Sequence, residues 1–342
     1  MTRKTSYQRR DLLLRGLATG AALASGAWLP GKAALAQSAA GSGGGYPTRP
    51  IRIVVPFAPG SSTDITMRRL EPQMTRSLGQ QLVVDNRPGA VGVLGSEQVK
   101  RAAPDGYTLL MTAVSSHSIA AALRPKSLPY DAVRDFTPIG RLLMTTNFIA
   151  VHPSVPARNL QELVAYSKTV QGGVSFGSGG TGSSNHLAGE ALRLAGANIV
   201  HVPYNSAAQA VNDTIGGQIP MLIYTAAVIP HVRSGRLRAL AVTSERRHPH
   251  APEVATVVEQ GMPGVVAQGW TGFFGPAGLS DAIRSRLWTA VRDALTDTDT
   301  RQKFADAGLE EAMLPPDEFR AFLERDVVKW RDIVRRSGLP TT

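Results

Sequence analysis

FGSGGTGSSNHLAGE, residues Phe176 to Glu190, sets five glycines, four hydroxyls and an amide within fifteen consecutive positions. Val174-Ser175-Phe176 reads as the end of a short strand, and Leu187, Ala188, Ala191, Leu192 and Leu194 recur at helical spacing. The stretch is therefore a strand-to-helix turn that delivers its backbone to a helix N-terminus. Such a junction exposes N–H groups at the positive end of the helix dipole, so a phosphate or a carboxylate fits there.

Two nucleotide motifs nearly match this stretch and both fail. Gly177, Gly179 and Gly182 spell G-x-G-x-x-G, but the following strand, near Asn198 to Tyr204, lacks the acid that a ribose needs. From Gly177 to Ser184 the same residues give a P-loop frame in which Ser183 stands where the phosphate-pairing lysine belongs. What remains is a neutral loop of donors, suited to one small carboxylate rather than a polyphosphate. The plain alternative is a glycine turn that caps a helix through Ser183 or Ser184 and binds nothing.

Working outward, 342 residues with 43% hydrophobic content are enough for one large or two ordinary domains. The formal charge is +11, but the first 36 residues hold six basic residues and one acid, which leaves 31 basic against 25 acidic residues beyond them. Those basic residues are scattered and aromatics are 6% of the chain, so no nucleic-acid groove is expected. A mildly cationic surface that attracts anionic solutes is the better reading.

Gln8-Arg9-Arg10-Asp11-Leu12-Leu13-Leu14, a weakly apolar run from Leu17 to Leu29, and Ala34-Leu35-Ala36 read as a twin-arginine export signal, residues 1–36, cleaved after Ala36. Residues 37–45 form a Ser-, Ala- and Gly-rich leader. The chain has no cysteine, which excludes disulfides, a thiol nucleophile and a lipid-bearing cysteine.

Ile51 to Phe57 is expected to be a buried strand, and Ala58 to Asp64 turns from it into a helix carrying Ile65, Met67, Leu70 and Met74. Strands at Leu82 to Val84 and Thr108 to Thr112 run into further polar turns, the second being Ala113-Val114-Ser115-Ser116-His117. Asn147 to His152 reads as a crossover, and strands near 174–176, 198–204, 221–224 and 237–243 follow, with helices between them. Trp270 to Gly275 returns as a strand before three amphipathic helices. Repeated strand-loop-helix units imply largely parallel sheets whose ligands sit beyond the strand carboxyl ends.

No metalloprotease pair or nucleophile elbow appears, and His186 with Glu190 is a poor metal site, so neither metal nor cofactor is expected. Ser183 with His186 would suit an exported serine hydrolase acting on small esters, but no third orienting group is evident. Tyr204 and Tyr224 each end an expected strand, where a ring can pack or meet a ligand.

The blocks PFAPGSSTD (Pro56 to Asp64), DNRPGAVGVLG (Asp85 to Gly95), PDGYTLLM (Pro104 to Met111), the opening stretch, HVPYNSAAQAVNDTIGGQ (His201 to Gln218) and GRLRALAVTSERR (Gly235 to Arg247) stand in order. Together they resemble the Bug-type substrate-binding proteins of tripartite tricarboxylate transporters, from about Tyr46 onward. The resemblance implies a type II periplasmic-binding fold: two α/β domains joined by two crossovers, with the ligand cleft between them. Residues 46–148 with 270–342 would form the first domain and 149–269 the second. It implies a monomeric, non-catalytic periplasmic receptor that captures a di-, tri- or aromatic carboxylate and presents it to membrane permease subunits or a sensor domain. Carried over by motif, Ser61, Ser62, Thr63 and Asp64 with Thr181, Gly182 and Ser183 would hold one carboxylate. Ser115 and Ser116 stand second to them, and Tyr204, Asn205 and Tyr224 complete the candidate set.

This chain departs from the family pattern at Ser61, at Asn205-Ser206 and at Ile223-Tyr224, where Phe-Asp is usual. Loss of that acid removes a counter-charge for an amino group, so a ligand without a cationic group is expected.

Overall fold

In the computed structural model, which describes residues 45–204, 207–306 and 309–342, the first apolar run forms β1 (Ile51–Val55). Parallel neighbours on both edges, β2 (Leu82–Asn86) and β3 (Thr108–Ala113), bury it, which is why it shows no polar alternation. The export signal and its leader up to residue 44 lie outside the described residues.

β4 (Phe136–Thr145), β10 (Gly269–Pro276) and β11 (Glu310–Leu314) complete a six-stranded sheet in the order β11-β4-β10-β3-β1-β2. A five-stranded sheet contains β5 (Asn147–Val151), β6 (Val174–Ser178), β7 (Ile199–Pro203), β8 (Met221–Thr225) and β9 (Arg238–Val242), in the order β7-β6-β8-β5-β9.

Both sheets are mixed, which corrects the expectation of largely parallel ones. β10 runs antiparallel to β3 and β4, β11 to β4, and β5 to β8 and β9. Parallel neighbours need a crossover helix to bring the chain back. β5 enters its sheet directly from β4 of the other sheet, and β10 returns from β9 without an α-helix between, so neither is preceded by a crossover helix of its own sheet.

The two passages between the sheets are tied together by side-chain amides and hydroxyls. Asn147 Nδ2 donates to the Ala267 carbonyl at 2.8 Å, Thr243 Oγ1 donates to the same carbonyl at 2.9 Å, and Gln268 Nε2 donates to Thr146 Oγ1 at 2.9 Å.

α1 (Ser62–Leu78) and α8 (Asp281–Thr296) pack together through Met67, Leu70, Leu287 and Val291. α10 (Pro316–Ser337) buries Phe319, Leu323 and Trp330, and its Asp326 accepts the Trp270 indole N–H at 2.8 Å. Close approach needs glycine at two places on these strands. A Cβ on Gly272 would stand 2.5 Å from the Phe319 ring, and one on Gly140 2.3 Å from Trp288. Among the described residues no helix is long and apolar enough to cross a membrane.

Candidate functional site

Phe176 to Glu190 is a strand-to-helix turn from β6 into α5 (Ser184–Leu194). Gly189 lets α5 lie directly on β6, because a Cβ there would come within 2.1 Å of the buried Phe176 ring. Gly180 and Gly182 adopt φ of +106° and +83°, a region that L side chains rarely enter.

Inside the turn, much of the polar surface is spent on holding its own shape. Ser183 is the N-cap: its hydroxyl accepts the His186 N–H at 3.2 Å and donates to the Gly180 carbonyl at 2.7 Å. Gly179 N–H donates to Asn185 Oδ1 at 3.2 Å, Gly180 N–H to Ser178 Oγ at 3.1 Å, and Gly182 N–H to His186 Nδ1 at 3.2 Å. Asn185 in turn donates to Asn147 Oδ1 at 3.1 Å, which ties the turn to the start of β5. Ser183 does not bond the His186 ring, so no nucleophile-base pair forms. The N–H groups of Ser184 and Asn185, in the first turn of α5, are those that helix geometry leaves without an intrahelical carbonyl.

Two histidines support the turn as neutral rings. Burial pushes His186 down to about 4, and burial followed by the nearness of His186 does the same for His201. Their ring centroids are 4.1 Å apart, and His201 Nε2 lies 2.6 Å from Ser178 Oγ. A neutral His186 that accepts at Nδ1 carries its proton on Nε2. The Glu190 carboxylate 3.9 Å away is therefore not an ion pair.

Ser61 likewise caps α1, accepting the Asp64 N–H at 3.3 Å. Asp64 points into the chain: its carboxylate accepts Gly60 N–H at 2.8 Å, Asn86 Nδ2 at 2.9 Å and Arg68 Nε at 3.0 Å. Burial pushes that carboxyl up, but these hydrogen bonds and the Arg68 charge outweigh it and hold the group below its ordinary value. Thr63 is buried and Ser62 exposed. Ser116 is buried too, its hydroxyl shared between Thr112 Oγ1 at 2.5 Å and the Ala113 carbonyl at 3.1 Å.

Three of the candidate residues meet across one cavity. Ser115, Thr181 and Gly182 line a space of about 170 Å³ with Ala90, Val91, Val93, Ala120, Leu123, Arg124, Pro340 and Thr342. This is the share of roughly six waters. A Cβ on Gly182 would stand 3.3 Å from Leu123, and one on Gly269 3.3 Å from Ser184 Oγ and 3.6 Å from Val114. The start of α5 therefore lies beside the segment that carries Ser115. Ala90 and Val91 adopt φ of +48° and +58°, and a β-branched residue there is strained.

The remaining candidates stand elsewhere. Ser61, Ser62, Thr63, Asp64, Ser116 and Ser183 do not line this cavity. Tyr224 and Tyr204 sit on the other flank of the turn: a Cβ on Gly179 would lie 3.9 Å from the Tyr224 ring, and one on Gly180 3.3 Å from the Tyr204 carbonyl. The Tyr204 hydroxyl donates to Asp213 at 2.9 Å, and burial raises the Tyr224 phenol. Asn205 lies outside the described residues.

Arg124 and the 340–342 segment were not foreseen. The only signal for the first was Arg124-Pro125 closing a short apolar helix, and nothing local marked the second. A larger cavity of about 690 Å³ opens beside β9, lined by Arg158, Arg238, Glu253 and Glu259 among others. Its mixed charges offer less for an anion than a glycine turn beside a helix N-terminus.

A family model described as the tripartite tricarboxylate transporter family receptor matches residues 66–339. Protein BugT of Bordetella pertussis is 36% identical over 296 residues, which cover 86% of this chain and 90% of the relative. Among solved structures, MatC from Rhodopseudomonas palustris with bound malate is 30% identical with a TM-score of 0.73, covering 84% of this chain and 100% of its own. R. palustris Rpa4515 with adipate is 28% identical with a TM-score of 0.76, covering 87% and 100%. The two mixed sheets thus form a type II periplasmic-binding-protein fold. The chain belongs to the tripartite tricarboxylate transporter receptor family, whose members are binding proteins and not enzymes.

Proposed function

We propose that the protein is an exported receptor that captures a small organic carboxylate at the glycine turn and delivers it to the permease of a tripartite tricarboxylate-type transporter. The observation that carries this reading is the shared cavity of Ser115, Thr181 and Gly182, next to the first turn of α5. The donors there come from segments attached to different sheets, so a bound anion would draw the two together. Residues 46–148 with 270–342 would be one lobe and 149–269 the other, closing as a hinge.

Burying a carboxylate needs several donors, and each charge-assisted hydrogen bond contributes about 1.5 to 3 kcal/mol net. Three or four such bonds support a micromolar affinity, about 8 kcal/mol, once association entropy is offset. The malate and adipate held by two relatives are acids of the same small, cation-free kind. Tyr224 in place of an acid leaves nothing at that position to pair with an amino group.

A thermal-shift screen of organic acids, amino acids and amines tests the reading. Di- or tricarboxylates should raise the midpoint in a saturable, turnover-free manner. Stabilisation by amino acids or amines alone would sink it.

A further inference from the structure

Arg124 stands at the wall of the cavity beside the glycine turn. It follows α3 (Ser118–Leu123), is half-buried, and lines the cavity together with the Ser115 and Thr181 hydroxyl groups. Among the described residues its guanidinium makes no ion pair or hydrogen bond. By contrast Arg52, Arg68, Arg193, Arg247 and Arg301 each hold a carboxylate. Arg124 also borders an open groove that contains Asp131 and Glu324. Asp131 is already occupied there, one of its oxygens accepting the N–H groups of Val133 and Arg134 at 2.9 Å each. Glu324, on the exposed side of α10, is not bonded to Arg124.

Thr342 apart, the rest of the cavity wall is apolar. Ala90, Val91, Val93, Ala120, Leu123 and Pro340 surround it, and Val91 remains 44% exposed at that lip. One end therefore offers backbone and hydroxyl donors, the middle offers hydrocarbon, and the far polar features are the Arg124 guanidinium and Thr342, whose N–H donates to the Leu123 carbonyl at 3.0 Å. A guanidinium recognises a carboxylate through two parallel N–H donors and stays charged at any physiological pH.

We infer that Arg124 is a specificity-determining residue that receives the second carboxylate of an aliphatic diacid, and so selects diacids over monoacids of the same length. The inference rests on the receptor reading above. In it the glycine turn takes one carboxylate, the Val91–Leu123 wall takes the methylene chain, and Arg124 takes the far end.

Calorimetric titration of the protein with two matched pairs tests this: adipate against hexanoate, and malate against 2-hydroxybutyrate. Wild type should bind one diacid at least tenfold more tightly than its monoacid partner. Arg124→Gln should lose tenfold or more of that diacid affinity while monoacid binding changes less than twofold, and Arg124→Lys should fall between. A diacid affinity within twofold of wild type in Arg124→Gln overturns the inference and leaves the receptor reading standing. Equal losses for both members of a pair, or a lower melting temperature with unchanged affinity, also overturn it and assign Arg124 to general attraction or to packing against Glu324. A wild type that binds none of the four acids overturns the inference, while the receptor reading stands or falls on the wider acid screen.

Discussion

Replacing Asp64 with Asn separates a residue that shapes the first loop from one that touches a ligand. The carboxylate is 3% exposed and accepts from Gly60 N–H, Asn86 and Arg68. An amide nitrogen cannot accept, so in Asp64→Asn one of these donors faces another donor. Losing a charge-assisted bond and stranding a buried donor costs about 1.5 to 3 kcal/mol. The Arg68 side chain is 53% exposed, so its contribution is screened to at most about 1 kcal/mol. The sum, about 2 to 4 kcal/mol, corresponds to a fall in melting temperature of roughly 4 to 8 °C for a chain of this size.

Scanning calorimetry at neutral pH, paired with titration of the tightest-binding acid well below the midpoint, reads both effects. Stability should drop by that amount while affinity stays within about threefold. The sign of the pH dependence follows from the lowered carboxyl. Its contribution is complete above the unfolded value of about 3.9 and disappears as the pH falls through the lower folded value. The gap between variant and wild type should therefore close in strong acid. An unchanged melting temperature with a tenfold loss of affinity would refute the reasoning and make Asp64 a ligand contact.

Two further outcomes follow from the same geometry. His117, His186 and His201 are held down to about 3, 4 and 4 by burial, so the unfolded chain takes up protons below about 6.5 while the folded chain does not. Melting temperature should thus fall as pH drops from 6.5 towards 4, and His186→Gln should flatten that slope; equal slopes in both proteins would contradict the neutral-ring assignment. Gly189→Ala drives a methyl to 2.1 Å from the Phe176 ring, and overpacking of this kind costs about 1 to 3 kcal/mol. Urea unfolding reads it, and a stability within about 0.5 kcal/mol of wild type would show that α5 can lift from β6 freely.

The glycine turn was legible because its chemistry is local. Spacing alone placed Phe176 on a strand, a cap at Ser183 or Ser184, and Leu187 on a helix, and the structure chooses Ser183. β4 escaped because Pro138 and Gly140 interrupt its strand pattern, and only the packing of Trp288 against Gly140 shows why a glycine sits in that strand. β11 escaped for a related reason, since an edge strand that pairs with β4 across more than 160 residues leaves little local pattern. Strand direction was misread where β5 and β10 join their sheets without a preceding crossover helix. At the site, sequence gave the hydroxyls but not their orientation. Ser61 and Ser183 act as caps, and Ser116 turns inward, whereas neighbouring Ser115 faces the cavity. Arg124 and Thr342 come to that cavity from positions 218 residues apart, a proximity that no local spacing encodes.

A crystal structure of the protein with whichever small carboxylate gives the largest thermal shift tests the receptor claim most directly. The account predicts a carboxylate oxygen within hydrogen-bonding distance of the Ser184 or Asn185 N–H groups, with Ser115 on the facing side. An acid seated instead in the cavity beside β9, between Arg158 and Arg238, would contradict it.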